Sequence, residues 1–172
     1  MPPKLTNKSL RCKAPEAMTQ CTNFSRRGAK DAEKYLQNSF PELIMSEKDL
    51  NDLSHQIIGA AIEVHRQLGP GLLEQIYQEA MILELRLRKL NVESEVSLPA
   101  RYKGTILPTS YRLDIIVENE IIIELKATEK DSPIYPKQLL TYLRLSGKKL
   151  GLLINFNHER LINGITRVVN NL

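Results

Sequence analysis

Asp114, Glu124 and Lys126 are two carboxylates and an ammonium set in a stretch, Tyr111 to Ala127, that otherwise alternates like a β-hairpin. Strand side chains alternate between faces, so Arg112, Asp114 and Ile116 are expected on one face and Leu113, Ile115 and Val117 on the other. Ile122, Glu124 and Lys126 would line one face of the second strand. A three-residue loop, Glu118-Asn119-Glu120, pairs Val117 with Ile121 and, counting back, sets Asp114 across from Glu124. Asn119 suits the left-handed position such a loop needs. Two carboxylates about 5 Å apart repel by roughly 3 kcal/mol at an effective dielectric near 20, more than a cross-strand pair usually contributes. A cation is therefore expected between them.

Lys126 is one candidate cation, and Mg2+ (or Mn2+) is the other. Mg2+ is typically held by one or two carboxylates together with waters and the phosphate oxygens of a substrate. Such a set can hydrolyse a phosphodiester: the metal polarises the phosphoryl group and acidifies a water, and the lysine orients or activates that water. The same spacing also describes a structural Asp–Lys–Glu cluster on the wet face of an amphipathic sheet.

Several elements must position these residues. Leu53, Ile57, Ala61, Val64 and Leu68 recur at helical spacing, and Gly69-Pro70-Gly71 ends that helix. A second helix follows, with Leu73, Ile76, Ala80, Leu83, Leu87 and Leu90 as its apolar stripe. β-type segments are expected at Val92 to Leu98, Ala100 to Ile106, Tyr111 to Val117 and Ile121 to Ala127. Pro133 opens a helix carrying Leu139, Leu140, Leu143 and Leu145, ended by Gly147. The nearly continuous apolar run from Lys149 to Phe156 reads as a strand buried on both faces. His158 to Leu172 reads as a turn followed by a strand or helix. The order describes an α/β sandwich with the carboxylate hairpin at its centre.

With 172 residues, 42% of them hydrophobic, the chain has room for one domain with a real core and additional segments. Its net charge of +4 is confined to one end: residues 1–45 hold eight basic and four acidic residues, leaving sixteen of each in residues 46–172. The folded part is neutral, so global charge gives no evidence for a nucleic-acid partner, although a local basic strip would suffice. The absence of Trp and the scarcity of aromatics argue against a stacking platform for single strands. No run reaches the ~18 apolar residues of a membrane span, and no signal-type segment opens the chain. A cytoplasmic protein without a membrane partner is expected. Cys12 and Cys21 read as free thiols, and no Cys/His spacing suits zinc. Residues 1–45 read as a basic, disordered extension, with Met45 as an alternative start. Their basic bias has a transit-peptide flavour that Pro2, Pro3 and Pro15 oppose. Residues 46–172 form the domain.

The hairpin resembles the signature of the PD-(D/E)XK nuclease superfamily, an Asp on the second core strand and an acid-x-Lys on the third, here Asp114 and Glu124-Leu125-Lys126. Gly71-Leu-Leu-Glu74-Gln-Ile-Tyr77 is similar to the motif of its GxxExxY family, and Gln138-Leu-Leu-Thr-Tyr142 to the Q-x-x-x-Y motif of its RecB-like nucleases. The resemblance spans about Leu53 to Val169. It implies a restriction-endonuclease-like sandwich, with a central mixed sheet flanked by helices, and a Mg2+-dependent nuclease in which Asp114 and Glu124 bind metal and Lys126 positions the attacking water. Glu74, Gln138 and Tyr142 would assist. Each assistant also has a plainer reading. Glu74 favours the dipole of its helix, although Tyr77 and Met81 align it with a buried stripe, where charge is costly. Gln138 and Tyr142 lie one turn apart and could be a core-edge pair. The family pattern carries a His three residues before the helix Gln, and this chain has Tyr135 there. His55, His65 and His158 read as surface or satisfied histidines. The competing function is a non-catalytic module that keeps the nuclease fold to bind nucleic acid or a protein. An enzyme acting on another phosphate ester is a third reading.

Overall fold

The computed structural model describes residues 45–170. The extension read over residues 1–45, with both cysteines, lies outside the described residues apart from Met45. Ser46 starts helix α1 (Glu47–Leu68) through a reciprocal cap: its hydroxyl accepts the Asp49 N–H at 3.2 Å, and the Asp49 carboxylate accepts the Ser46 N–H at 3.2 Å. Leu50, Leu53, Ile57, Ala60, Ala61 and Val64 form its buried stripe, as the periodicity predicts, while Leu68 is exposed.

Helix α2 (Glu74–Leu87) buries a different stripe from the expected one. Tyr77, Met81 and Leu85 face the core, whereas Leu73, Ile76, Leu83 and Leu87 are exposed, the last at 69%. The helix carries apolar residues on two sides, and tertiary packing selects the side whose Tyr77 ring stacks on Phe156 at 4.5 Å. The Tyr77 hydroxyl donates to Gly69 O at 2.6 Å and accepts the Leu72 N–H at 3.1 Å, tying down the loop before α2. A leucine could not make those bonds. This choice brings Glu74, in line with Tyr77 and Met81, to the edge of the core.

Five strands follow in the spatial order β1-β2-β3-β4-β5: β1 (Val92–Tyr102), β2 (Thr105–Val117), β3 (Ile121–Lys126), β4 (Leu150–Asn155) and β5 (Ile165–Val169). The pairing is antiparallel except between β3 and β4, which helix α3 (Ile134–Ser146) connects in parallel. One face of the sheet packs on α1 and α2 through Ile115, Val117, Ile121, Ile123, Leu125 and alternate residues of β4. The other packs on α3 through Leu113, Ile116, Ile122, Leu139, Leu143 and Leu153. This is an α/β, restriction-endonuclease-like sandwich with a mixed central sheet flanked by helices. β4 is buried throughout, as its apolar run predicts.

Two expectations about the strands need correction. The segment Ala100 to Ile106 is cut by a two-residue turn in which Lys103 and Gly104 both have positive φ, 48° and 82°. Such turns match the twist of a hairpin. The alternation of β2 also breaks: Leu113 joins the cluster of Ile116 instead of that of Ile115 and Val117. The break coincides with Glu95, opposite this region on β1, which has φ of 55°. A left-handed residue in one strand rotates the ribbon locally.

Candidate active site

The carboxylate hairpin closes as its spacing predicts, with Val117 paired to Ile121, Ile116 to Ile122 and Ile115 to Ile123, and with Glu118 and Asn119 both left-handed. The β2–β3 pairing then stops, and Asp114 follows immediately. Its Oδ2 accepts the Leu125 N–H at 2.9 Å, so this carboxylate takes over a strand amide where the ladder opens. Its carbonyl accepts from Gln78 Nε2 of α2 at 3.3 Å. Asp114 is thus held from both sides, by β3 and by α2.

Glu124 is 3% exposed. One oxygen, Oε1, accepts from Lys126 Nζ at 2.9 Å, and the same ammonium donates to Leu125 O at 2.7 Å. The other oxygen, Oε2, is the one buried side-chain nitrogen or oxygen among the described residues with no hydrogen-bond partner. Burial first, then the charge of Asp114, push the Glu124 carboxyl up to about 6 against the pull of Lys126; Glu74 adds to the upward push. For Lys126, burial pulls the ammonium down, but the hydrogen bond and charge of Glu124, with Glu74 and Asp114 behind it, win and raise it above its ordinary value. The ammonium therefore keeps its proton at neutral pH.

Glu74 opens α2 with its carboxylate 3.9 Å from that ammonium, and its side chain is 46% exposed. From the other side of the sheet, the Tyr135 ring of α3 lies 5.5 Å from Lys126 Nζ. Gln138 Nε2 donates to the Tyr142 hydroxyl. Burial raises the Tyr142 hydroxyl above its ordinary value, against the pull of Gln138, with the charges of Glu124 and Asp114 adding to the rise. Glu74, Glu124 and Lys126 therefore meet directly, Asp114 is bonded to the strand between the latter two, and the Gln138–Tyr142 pair lies within their electrostatic reach.

Among the described residues, no group of three or more His, Cys, Asp or Glu side chains is arranged to hold a metal ion. The donor set at the hairpin is two carboxylates. That number, the hard oxygen chemistry and the unpartnered buried Oε2 suit Mg2+, which completes its shell with water and substrate oxygens.

Beyond this set lies a polar cluster that the periodicity does not disclose. Asn155, the β4 partner of Lys126, donates to Thr128 O at 2.9 Å and Asp131 Oδ1 at 2.8 Å, and accepts from Thr128 N at 3.1 Å and Asn157 N at 3.2 Å. His158 Nε2 meets Asp131 Oδ2 at 2.9 Å, and His65 Nε2 donates to His158 O at 2.8 Å. Hydrogen bonds, that from Asn155 foremost and from His158 after it, hold Asp131 below the usual carboxylate range despite some desolvation. Gly164 permits the arrangement, since a Cβ there would lie 2.3 Å from Asn155 O. His65 and His158 are satisfied histidines, as expected, and together they fasten the loop between β3 and α3. The one available signal was a polar residue ending an otherwise apolar buried strand.

The chain belongs to the PD-(D/E)XK nuclease superfamily, which it matches over residues 51–168. No curated protein matches it. Among solved structures, it is similar to one described as the crystal structure of SSO0001, with 21% sequence identity and a TM-score of 0.46 over 84% of this chain and 75% of that one. Among the described residues, no helix is long and apolar enough to cross a membrane.

Proposed function

We propose that this protein is a Mg2+- or Mn2+-dependent nuclease that hydrolyses phosphodiester bonds of nucleic acid, within the GxxExxY branch of its superfamily. The observation that carries this reading is the buried Glu124 carboxylate with Oε2 unpartnered beside Asp114. A structural cluster gains nothing from such an atom, because an unsatisfied buried oxygen costs about 1–3 kcal/mol. A metal held by Asp114 and Glu124 would supply polarisation of a phosphoryl oxygen and acidification of a water. The residues of the chain supply the rest. Lys126 stays protonated, so it is a hydrogen-bond donor and positive charge facing the reacting phosphate or the attacking water, and not a general base. Glu74, half exposed at the mouth of the site, would orient a water against that ammonium. On the α3 side the Tyr135 ring faces the ammonium, and the Gln138–Tyr142 pair would line the site beside it.

The test is incubation of the purified protein with DNA and RNA in Mg2+ or Mn2+, beside a calorimetric Mn2+ titration. Cleavage and Mn2+ binding, both lost in Asp114→Asn and Glu124→Gln, are expected. Failure of both in the unaltered protein would overturn the reading in favour of a non-catalytic module.

A further inference from the structure

The β1–β2 hairpin continues well beyond the sheet that anchors it. β3 pairs with β2 only at Ile115–Val117, whereas β1 accompanies β2 to the turn at Lys103-Gly104. From Asp114 to Thr105 a strand rises about 30 Å. Every residue from Thr105 to Arg112 is exposed. On β1, Val96 and Leu98 near the base are half-buried against the α3-side cluster, whereas both strands are exposed from Arg101 to the turn and back; apolar burial therefore explains the base of the ribbon and not its outer end.

Its charge is one-sided. Residues 96–113 contain Arg101, Lys103 and Arg112 and no acidic residue, whereas the rest of residues 46–172 holds thirteen basic and sixteen acidic residues. Arg112 is paired with Glu95 at 3.5 Å near the base, while Arg101 and Lys103 sit exposed at the tip, Lys103 over the Tyr102 ring at 5.5 Å. The base of the ribbon is the candidate site itself: Asp114 stands where β2 parts from β3, and Tyr111 lies 5.4 Å from Tyr142.

We propose that this hairpin is an arm that grips duplex DNA, with Arg101 and Lys103 contacting phosphates about one helical turn from the bond held at Asp114 and Glu124. The inference rests on the nuclease reading and names its substrate class. A two-stranded ribbon fits the major groove of B-form DNA, about 12 Å wide, whereas the deep, narrow major groove of A-form RNA excludes it. The arm's reach of about 30 Å approaches the ~34 Å turn of the duplex. A second copy of the chain is a poorer occupant. Pro99, Pro108 and the register shift between Pro99 and Arg101 interrupt the ribbon edges that another strand would need, and pairing two arms would bring like charges together.

The experiment measures binding of a 5′-labelled duplex of about 30 base pairs to the full chain in EDTA, across a salt series, for the unaltered protein, R101Q/K103Q and R101E/K103E. Hydrolysis of bis(p-nitrophenyl) phosphate with Mn2+, a diester too small to reach the tip, is followed in parallel. At 0.1 M salt the glutamine pair should weaken duplex binding at least about tenfold and lower the log–log salt slope by about two, with the glutamate pair weaker still. Small-diester hydrolysis should be unchanged. Unaltered affinity and slope would overturn the arm, as would a loss confined to duplex RNA or single strands, or a shift in oligomeric state at constant DNA affinity. If the unaltered protein grips duplex through these residues yet hydrolyses no diester, the nuclease reading fails and the arm stands. If it hydrolyses the small diester but the variants bind duplex normally, the arm fails and the nuclease reading stands.

Discussion

Lys126 and Asn155 are register partners on the parallel strands β3 and β4, yet the polar clusters around them are built on opposite principles. Asn155 uses both ends of its amide, making four hydrogen bonds, three to the loop it fastens and one from Asn157 just beyond its own strand. Around Lys126 the accounting does not close: a buried carboxylate has one oxygen unpartnered, and a second carboxylate raises its proton affinity. Buried polar networks stabilise when every member is satisfied. An unsatisfied one costs stability, and that cost is what the proposed metal-binding role of Glu124 would account for. The Asn155 cluster is a clamp on the loop that follows β3, next in sequence to the Glu124 cluster.

The comparison breaks most sharply if it is wrong about activity. Glu124→Gln and Lys126→Met should each lower metal-dependent cleavage by about 10²–10³-fold or more, measured as initial rates on plasmid DNA. Their stabilities should diverge, because the first removes a disfavoured buried charge and the second strands it. Equal destabilisation by both would reduce the site to a structural ion cluster.

Asn155→Ala should be the more damaging change to the fold. It leaves the Thr128 amide and carbonyl, the Asn157 amide and one oxygen of the Asp131 carboxylate, whose other oxygen keeps His158, without their Asn155 partner, so a loss of about 2–4 kcal/mol is expected by urea denaturation. Activity should fall only as far as the loop loosens. A stability change within 0.5 kcal/mol, taken as about the size of an ordinary surface substitution, would show that the clamp is not a clamp.

The pH dependence of stability sharpens the contrast. Glu124 titrates at about 6 in the folded chain against an ordinary value of 4.5. Between those values the folded state binds the extra proton, so stability is greatest below about 4.5, falls as pH rises through 6 and is flat above. The contribution is about 2 kcal/mol, and it should vanish in Glu124→Gln. Chemical denaturation at pH 4.5 and pH 7, without metal, measures it. Asp131, held low, works in the opposite sense at more acidic pH.

The smallest effect is expected at the edge of the site. Tyr142→Phe removes the acceptor of the Gln138 amide but keeps the ring against Tyr111. Stability should fall by about 1 kcal/mol and cleavage by less than tenfold. A hundredfold loss would promote the tyrosine hydroxyl from a positioning group to a reacting one.

Much of this was legible in the sequence, and the exceptions have physical reasons. Hairpin register followed from side-chain alternation and a three-residue loop, both local, and β4 followed from its continuous apolar run, the pattern of a strand buried on both faces. The stripe of α2 was misread because leucines lie on two of its faces, and the ring stack of Tyr77 on Phe156, a contact between distant residues, decides between them. Leu113 changed faces because a left-handed Glu95 on the neighbouring strand twists the ribbon. Neither the clamp nor the arm follows from residue type. Asn155 is marked only by its partners, and the β1–β2 ribbon stands beyond the sheet because β2–β3 pairing ends at Ile115.

By itself, the sequence determined the order of the three helices and of β3 and β4 and the pairing at the turn of the hairpin, and it singled out the two acids and the lysine, since these depend on neighbours along the chain. Tertiary structure alone decided that Glu124 is buried with one oxygen unpartnered, that Glu74 reaches Lys126 from another helix and that Asp114 bonds a strand amide. Those properties depend on the exclusion of water and on distances between residues remote in sequence, and neither is a function of local pattern.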